Sequence, residues 1–268
     1  MSEIPKLLAI AGSDPSGGAG AQADLKTFSA FRCYGMAAIT ALTAQNTRGV
    51  VAAYPLAADI VAAQISAVMS DIRPDAIKIG MVATPEIAAA VAAALGDAPR
   101  NVVLDPVLVP TQGVSLAAAG LERALLVTLL PLARLVTPNV FEAAALTETP
   151  QARNVADMTA QGRLLIEAGA RAVLVKGGDL AGDPVDVLVA EGETRLFHGR
   201  RIETRHTHGT GCALSSAIAA GLAKGAPLID AIAAAKVWLE GALEAAEALD
   251  LGAGRGPPHH FYALWGGA

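Results

Sequence analysis

The chain has 268 residues, 59 of them alanine, with 53% apolar, 17% charged and 4% aromatic side chains and a formal net charge of −5. So much apolar content with so little charge excludes disorder. Two cysteines exclude a disulfide-stapled scaffold, and the acidic balance gives no support to nucleic-acid binding.

A chain of this length buries roughly three quarters of its unfolded surface, enough for a sizeable core, and it reads as one domain without linkers or repeats. A spanning helix needs about 20 consecutive apolar residues. Residues 106–121 are broken by Pro110, Thr111, Gln112 and Gly113, and residues 207–223 by His208, Gly209, Thr210 and Gly211. The apolar stretch before Asp14 is too short for a signal peptide. The expected setting is the cytoplasm, away from membranes, with Cys33 and Cys212 as free thiols.

In chain order, strand and helix alternate. LLAIAG (7–12) predicts a buried parallel strand, 18–33 a helix, 36–45 a second strand and 49–56 a partner beside it. A helix over 58–71 precedes the strand AIKIG (76–80), and Thr84-Pro85 opens a helix over 85–95 as a cap followed by a first-turn proline. Strands at 101–107, 134–139 and 171–178 alternate with helices at 116–130, 139–147 and 155–169. Residues 185–203 predict a hairpin turning at Glu191-Gly192, and two long helices follow at about 211–224 and 227–249. The expected architecture is an α/β sandwich with a mostly parallel sheet. Ligands then bind beyond the carboxyl ends of the strands.

Gly18-Ala19-Gly20-Ala21-Gln22-Ala23 fits the loose dinucleotide-binding pattern, but no Asp or Glu occurs between Asp24 and Asp59. The acid that pattern needs about 20 residues on is missing. The glycines suit a pocket where a ligand approaches main-chain N–H groups. No Gly-Lys dipeptide occurs, so a Walker-type phosphate loop is absent. His208-Gly209-Thr210-Gly211-Cys212 leads into an apolar helix. It reads equally as a glycine-rich cap or as an anion site made of unpaired amides and a helix dipole. Cys212 on that first turn is expected to have a lowered pKa, or else to be a small packing residue.

Asn139 and Glu142 share a helix face and read as a capping box, a role compatible with holding a hydrated Mg²⁺. Lys176 and Asp105 end strands. Alone, they read as a snorkelling lysine and an Asp-Pro turn. Histidines 198, 206, 259 and 260 carry no informative spacing.

These segments together carry a resemblance. AIAGSDPSGGAGAQADLKTFSAFRCYG (9–35), ALTAQNTRGV (41–50), IKIGMV (77–82), VVLDPV (102–107), TPNVFEAAAL (137–146), VLVKGG (173–178), THGTGCALSSAIAAGLAKG (207–225) and GAGRGPPHHF (252–261) span essentially the whole chain. In that order they resemble the hydroxymethylpyrimidine/phosphomethylpyrimidine kinases of the ribokinase-like superfamily. The narrowest feature is Cys212, where most ribokinase relatives carry a catalytic Asp.

The resemblance implies a single ribokinase-like kinase domain over 1–268, a three-layer sandwich whose mostly parallel central sheet is flanked by helices, and a homodimer. It implies ATP- and Mg²⁺-dependent phosphorylation of 4-amino-5-hydroxymethyl-2-methylpyrimidine, then of its monophosphate, in thiamine biosynthesis. Carried over, Gln45 would hydrogen-bond the aminopyrimidine, and Gly12, Gly18, Ala19, Asp24, Met81 and Val107 would line its pocket. Gly209, Thr210, Gly211 and Cys212 would form the anion hole, with Cys212 as general base or as a group orienting the hydroxyl. Lys176 would approach the ATP phosphates. Asn139 and Glu142 would hold Mg²⁺ through water, with Asp105 nearby.

The chain departs from the family pattern at Val109-Pro110-Thr111-Gln112-Gly113 and at Asp179, where many relatives carry His. Pyridoxal or pyridoxine kinase is the nearest rival, and Gln45 with Met81 favours the aminopyrimidine over it. A non-catalytic pyrimidine-binding regulator is the rival from another class. Lys176, Asn139, Glu142 and Cys212 occurring together speak against it.

Overall fold

The computed structural model of the chain describes residues 3–96, 101–108, 117–190 and 192–265. Among the described residues nine strands form one sheet. In spatial order they are β3 (Gly49–Pro55), β2 (Tyr34–Asn46), β1 (Lys6–Ser13), β4 (Ala76–Ile79), β5 (Val102–Leu104), β6 (Leu135–Val136), β7 (Ala172–Val175), β8 (Val185–Ala190) and β9 (Glu193–His198). From β2 through β7 the neighbours are parallel, and β3, β8 and β9 add antiparallel edges. β1 is apolar without alternation because both its faces are covered: Leu7 through Ala11 are fully buried.

The two faces carry separate cores. One is covered by α2 (Ala58–Asp71), α3 (Pro85–Leu95), α4 (Leu121–Ala124), α5 (Val140–Thr147) and α6 (Val155–Glu167). The other is covered by α1 (Gly20–Ala30), α7 (Thr210–Ala223) and α8 (Leu228–Glu244). The order of strands reverses at β1, whose sequence successor β2 lies on one side and β4 on the other. That reversal opens a crevice at the carboxyl end of β1.

α7 is the most enclosed helix. Ala213, Ala217, Ala219 and Ala220 are fully buried, and a side chain at Gly221 would meet the Ala231 Cβ at 2.9 Å. Alanine and glycine here let helices approach closely, which for alanine adds to its value as a helix former and for glycine offsets its poor one. Among the described residues no helix is long and apolar enough to cross a membrane.

Several expected elements are shorter. The helix expected at 116–130 is α4 followed by a π turn over Leu125–Leu129 and a 3₁₀ turn over Leu130–Leu132. Pro131 lacks an N–H and crowds the carbonyl four residues back, which breaks α-helical bonding there. The strand at 101–107 stops at Leu104 because Pro106 cannot extend the ladder. The strands at 134–139 and 171–178 likewise shrink to β6 and β7. The helix at 18–33 begins only at Gly20, since Gly17 to Ala19 fold around Asp14. The helix at 227–249 ends at Glu244, with a 3₁₀ turn over Ala246–Leu249. The hairpin forms as β8 and β9, and residue 191 of its turn and residue 116 lie outside the described residues. A short helix, α9 (Tyr262–Trp265), was not expected.

Candidate active site

A cleft of about 860 Å³ lies across the carboxyl ends of the parallel strands, within the usual size of a small-molecule site. Its first wall is the loop after β1, organised by one buried carboxylate. Asp14 accepts through Oδ1 from the Ser16 amide and hydroxyl (2.8 and 2.7 Å) and through Oδ2 from the Gly18 and Ala19 amides (3.1 and 2.8 Å). Burial works against this charge. The His208 and Ser16 bonds outweigh it, and the Asp14 carboxyl is held below its ordinary value.

The loop is clamped onto the approach to α7. Gly209 has φ +78°, and a Cβ there would lie 1.9 Å from the Gly18 carbonyl oxygen. Only glycine fits, for reasons of conformation and of space. His208 Nε2 lies 2.9 Å from Asp14 Oδ2 and 2.8 Å from the Gln45 amide. A carboxylate only accepts, so His208 carries its proton on Nε2. Thr43 Oγ1 spends its one proton on the Ser13 carbonyl at 2.9 Å and lies 3.3 Å from the other end of the Gln45 amide. Both contacts are satisfied when the Gln45 oxygen faces His208 and its NH₂ faces Thr43. The Gln45 amide is thereby oriented before any ligand arrives. Behind it, Met81, Val107 and Gly12 form an apolar wall: Met81 is buried, and a Cβ on Gly12 would meet its sulfur at 3.2 Å.

The floor is the first turn of α7. Among the described residues, the amides of Gly211 and Cys212 find no protein acceptor, as expected of the opening turn of a helix. Lys176 and Asp105 press against this turn: a Cβ on Gly211 would lie 3.2 Å from Lys176 Nζ and 3.6 Å from Asp105 Oδ2. Lys176 Nζ donates to Asp105 Oδ1 at 2.7 Å and lies 4.0 Å from Glu142 Oε2. Burial opposes both charges, but each supports the other. Asp105 is held below its ordinary pKa and Lys176 above its own.

The expected capping box is present. Asn139 Oδ1 accepts from the Phe141 and Glu142 amides (2.9 and 2.8 Å), and Glu142 Oε2 accepts from the Asn139 amide (2.8 Å). Burial, with Asp105 nearby, pushes the Glu142 carboxyl up to about 7 against the pull of Lys176. Glu142 lines the cleft, and its Oε1 takes no hydrogen bond from a described residue. No group of three His, Cys, Asp or Glu able to hold a metal occurs among the described residues. The free Oε1 of Glu142 in the cleft, beside Asn139, is an oxygen donor of the kind a hydrated Mg²⁺ takes through water.

Thirteen of the expected site residues line this one cleft: Gly12, Ala19, Gln45, Met81, Val107, Asp105, Asn139, Glu142, Lys176, Gly209, Thr210, Gly211 and Cys212. Two do not. Asp24 is sealed beneath the site, where Lys78 Nζ donates to both its oxygens (2.9 and 3.0 Å) and Ser216 Oγ to Oδ1 (2.8 Å). Gly18 is buried against His208 and Pro257.

The lowered thiol pKa expected for Cys212 is also reversed. Burial pushes it up to about 11, and Asp24 and Asp105 add to that push against Lys78 and the Gly20 amide. Thr210 to Cys212 open α7, but burial of the thiol, with the carboxylates beside it, outweighs the helix terminus. The departure at residues 109–113 lies outside the described residues. Asp14 and His208 stand within the glycine-rich motifs without a role of their own there, and Lys78 and Arg255 carry no reading from the residues. Their signals were a carboxylate before three glycines, a histidine adjoining the GTG turn, a lysine inside an apolar strand, and an arginine in a glycine-rich tail.

A sequence profile described as phosphomethylpyrimidine kinase matches residues 14–259. The chain is 54% identical over 260 residues to the hydroxymethylpyrimidine/phosphomethylpyrimidine kinase of Rhizobium meliloti (strain 1021), an alignment covering 96% of this chain and 97% of that one. It is similar to the crystal structure of phosphomethylpyrimidine kinase from Clostridium difficile 630, with TM-score 0.78, 41% identity and coverage of 92% of this chain and 100% of that one. It is also similar to the pyridoxal kinase from Staphylococcus aureus in complex with AMP-PCP and pyridoxal, with TM-score 0.89, 32% identity and coverage of 98% and 96%.

Proposed function

The chain belongs to the phosphomethylpyrimidine kinase family, and we propose that it phosphorylates 4-amino-5-hydroxymethyl-2-methylpyrimidine with ATP and then converts the monophosphate to the diphosphate, in thiamine biosynthesis. The observation that carries this reading is the placement of a pre-oriented amide, Gln45, across one cleft from unpaired amides and a lysine at the start of α7. An amide offers the donor and acceptor that an aminopyrimidine edge requires. Unpaired helix amides and an ammonium suit the transferring phosphoryl group.

Phosphoryl transfer depends chiefly on positioning and charge stabilisation. Met81 and Val107 hold the ring, and Gln45 sets its rotation. The Gly211 and Cys212 amides and Lys176 receive negative charge as it develops on the γ-phosphoryl oxygens. Glu142 and Asn139 would hold Mg²⁺ through water, which would supply neutralisation of phosphate charge. Cys212 is protonated near neutral pH at a pKa of about 11, so it serves by orienting the hydroxymethyl oxygen rather than as a standing thiolate base. We take the enzyme to be a cytoplasmic homodimer. Exposed Leu42, Val51 and Tyr54 on the β2–β3 edge support self-association.

The test is turnover with Mg-ATP on the hydroxymethylpyrimidine, its monophosphate and pyridoxal in competition. Both pyrimidines are expected to be consumed in preference to pyridoxal. Faster turnover of pyridoxal overturns the reading.

A further inference from the structure

We propose that Arg255 receives the phosphate of the monophosphate acceptor and so determines the efficiency of the second phosphorylation; this rests on the function proposed above. The two transfers differ in their acceptors. In the first, an alcohol oxygen bonds to the γ-phosphorus, the bond to the β–γ bridging oxygen breaks, ADP leaves with the electron pair, and the alcohol proton passes to an oxygen of the transferred phosphoryl group and from there to water. In the second, the attacking oxygen belongs to a phosphate that is already ionised, so there is no alcohol proton to remove. A dianion must instead be brought beside the phosphates of ATP, which calls for a cation that the first step does not need.

Five arginines and lysines line the cleft among the described residues. Lys176 faces Asp105 and Glu142. Lys236 is paired with Asp186 at 2.5 Å, and Arg200 with Glu244 at 2.6 Å. Arg201 is turned onto the carbonyls of Gly178, Leu180 and Gly182 at 2.6–3.0 Å. Arg255 alone has no carboxylate within ion-pair distance and no described partner on either Nη. Its Nε donates to Thr207 Oγ1, and Asp179 acts on it only at longer range. A half-buried cation left this way is a site for an anion.

Its position selects which anion. The Arg255 amide donates to the Thr47 carbonyl at 2.7 Å and the Gly254 amide to Thr47 Oγ1 at 3.2 Å, two residues beyond Gln45. On the other side the Gly256 carbonyl accepts from the His208 amide at 3.0 Å, one residue before Gly209. Arg255 thus stands between the element that carries the ring-binding amide and the loop that opens the anion hole. The phosphate of an acceptor held by Gln45 and directed at the α7 amides would lie between these two elements, where the Arg255 side chain bonds Thr207. These fixing bonds are made by the main chain, so a change of side chain leaves the segment anchored.

The test compares Arg255→Gln and Arg255→Lys with the wild type, measuring each step separately with the hydroxymethylpyrimidine or its monophosphate as sole acceptor. In Arg255→Gln the ratio of second-step to first-step kcat/KM should fall about tenfold or more, as loss of a charge-assisted contact predicts. The fall should come from a raised KM for the monophosphate, and Arg255→Lys should recover part of it. An equal fall in both steps would make Arg255 a structural strap. A rise confined to the KM for ATP would place it in the nucleotide subsite. An unchanged ratio would leave it without a role. Each of these three outcomes overturns the proposal. If the wild type phosphorylates neither pyrimidine, the function proposed above fails instead.

Discussion

Two lysine–aspartate pairs lie within electrostatic reach of Cys212, and they differ in one respect that decides their roles. The Lys78–Asp24 pair is wholly sealed, with 0% exposure on both side chains, while Lys176 keeps 13% of its side chain open to the cleft. In the sealed pair the ammonium contacts both carboxylate oxygens, and Ser216 takes a further position. Nothing remains to offer a ligand, and the pair ties α1 and α7 to β4. In the open pair Lys176 has one close partner, Asp105, so its remaining protons are available to phosphate oxygens. Similar chemistry therefore serves the scaffold in one place and the reaction in the other.

The sharpest way to break this comparison is Lys78→Met. Removing one member of a buried pair leaves an uncompensated charge and should lower unfolding stability by about 3–5 kcal/mol. Urea denaturation reads the loss, and adding Asp24→Leu should restore part of it. A Lys78→Met protein as stable as wild type would show that the sealed pair is not structural. Lys176→Met should do the reverse. Turnover should fall about 10²–10³-fold, the scale for losing one charge-stabilising group, with only a small change in melting temperature. A large loss of stability with little loss of turnover would exchange the two roles.

Cys212 tests the surroundings of both pairs. With the thiol pushed up to about 11, the thiolate is scarce at neutral pH. Alkylation by iodoacetamide should be slow there and rise about tenfold per pH unit through the alkaline range. A plateau near pH 8 would mean that the helix terminus prevails over burial of the thiol. Cys212→Ala should lower the first transfer, to an alcohol, more than the second. Equal losses would count against a role at the hydroxyl. The smallest effect is expected at Gln45→Ala: an increase of about tenfold or less in the pyrimidine KM, the scale of one neutral hydrogen bond, without a change for ATP. A rise for ATP alone would put Gln45 in the other subsite.

How far the site could be read in advance follows the range of the interactions. Asn139 and Glu142 are three residues apart, and their capping box formed as their spacing indicated. Asp105 and Lys176 were found because they end apolar runs, and strand ends in such a sheet face its ligand crevice. The family resemblance implies a place in the pocket for Asp24 as well. Its burial depends on Lys78, 54 residues away, and on Ser216, 192 residues away. His208 stands in the glycine-rich motif, but its bond to Asp14 is not legible there, because that contact spans 194 residues. The helix expected over 116–130 stops before Pro131, as its sequence indicates, but periodicity does not show that Leu125–Leu129 winds as a π turn and Leu130–Leu132 as a 3₁₀ turn.

By itself, the sequence determined the alternation of strands and helices, the turns that interrupt them, the family resemblance and the residue types at the strand ends. These follow from periodicity, conformational freedom and local hydrogen bonding, which act over a few residues. Only the tertiary structure decided which charges face the cleft and which are sealed, how Gln45 is oriented, where Arg255 stands, and that the Cys212 thiol is raised rather than lowered. Those properties depend on desolvation and on charges brought together by the fold from distant parts of the chain.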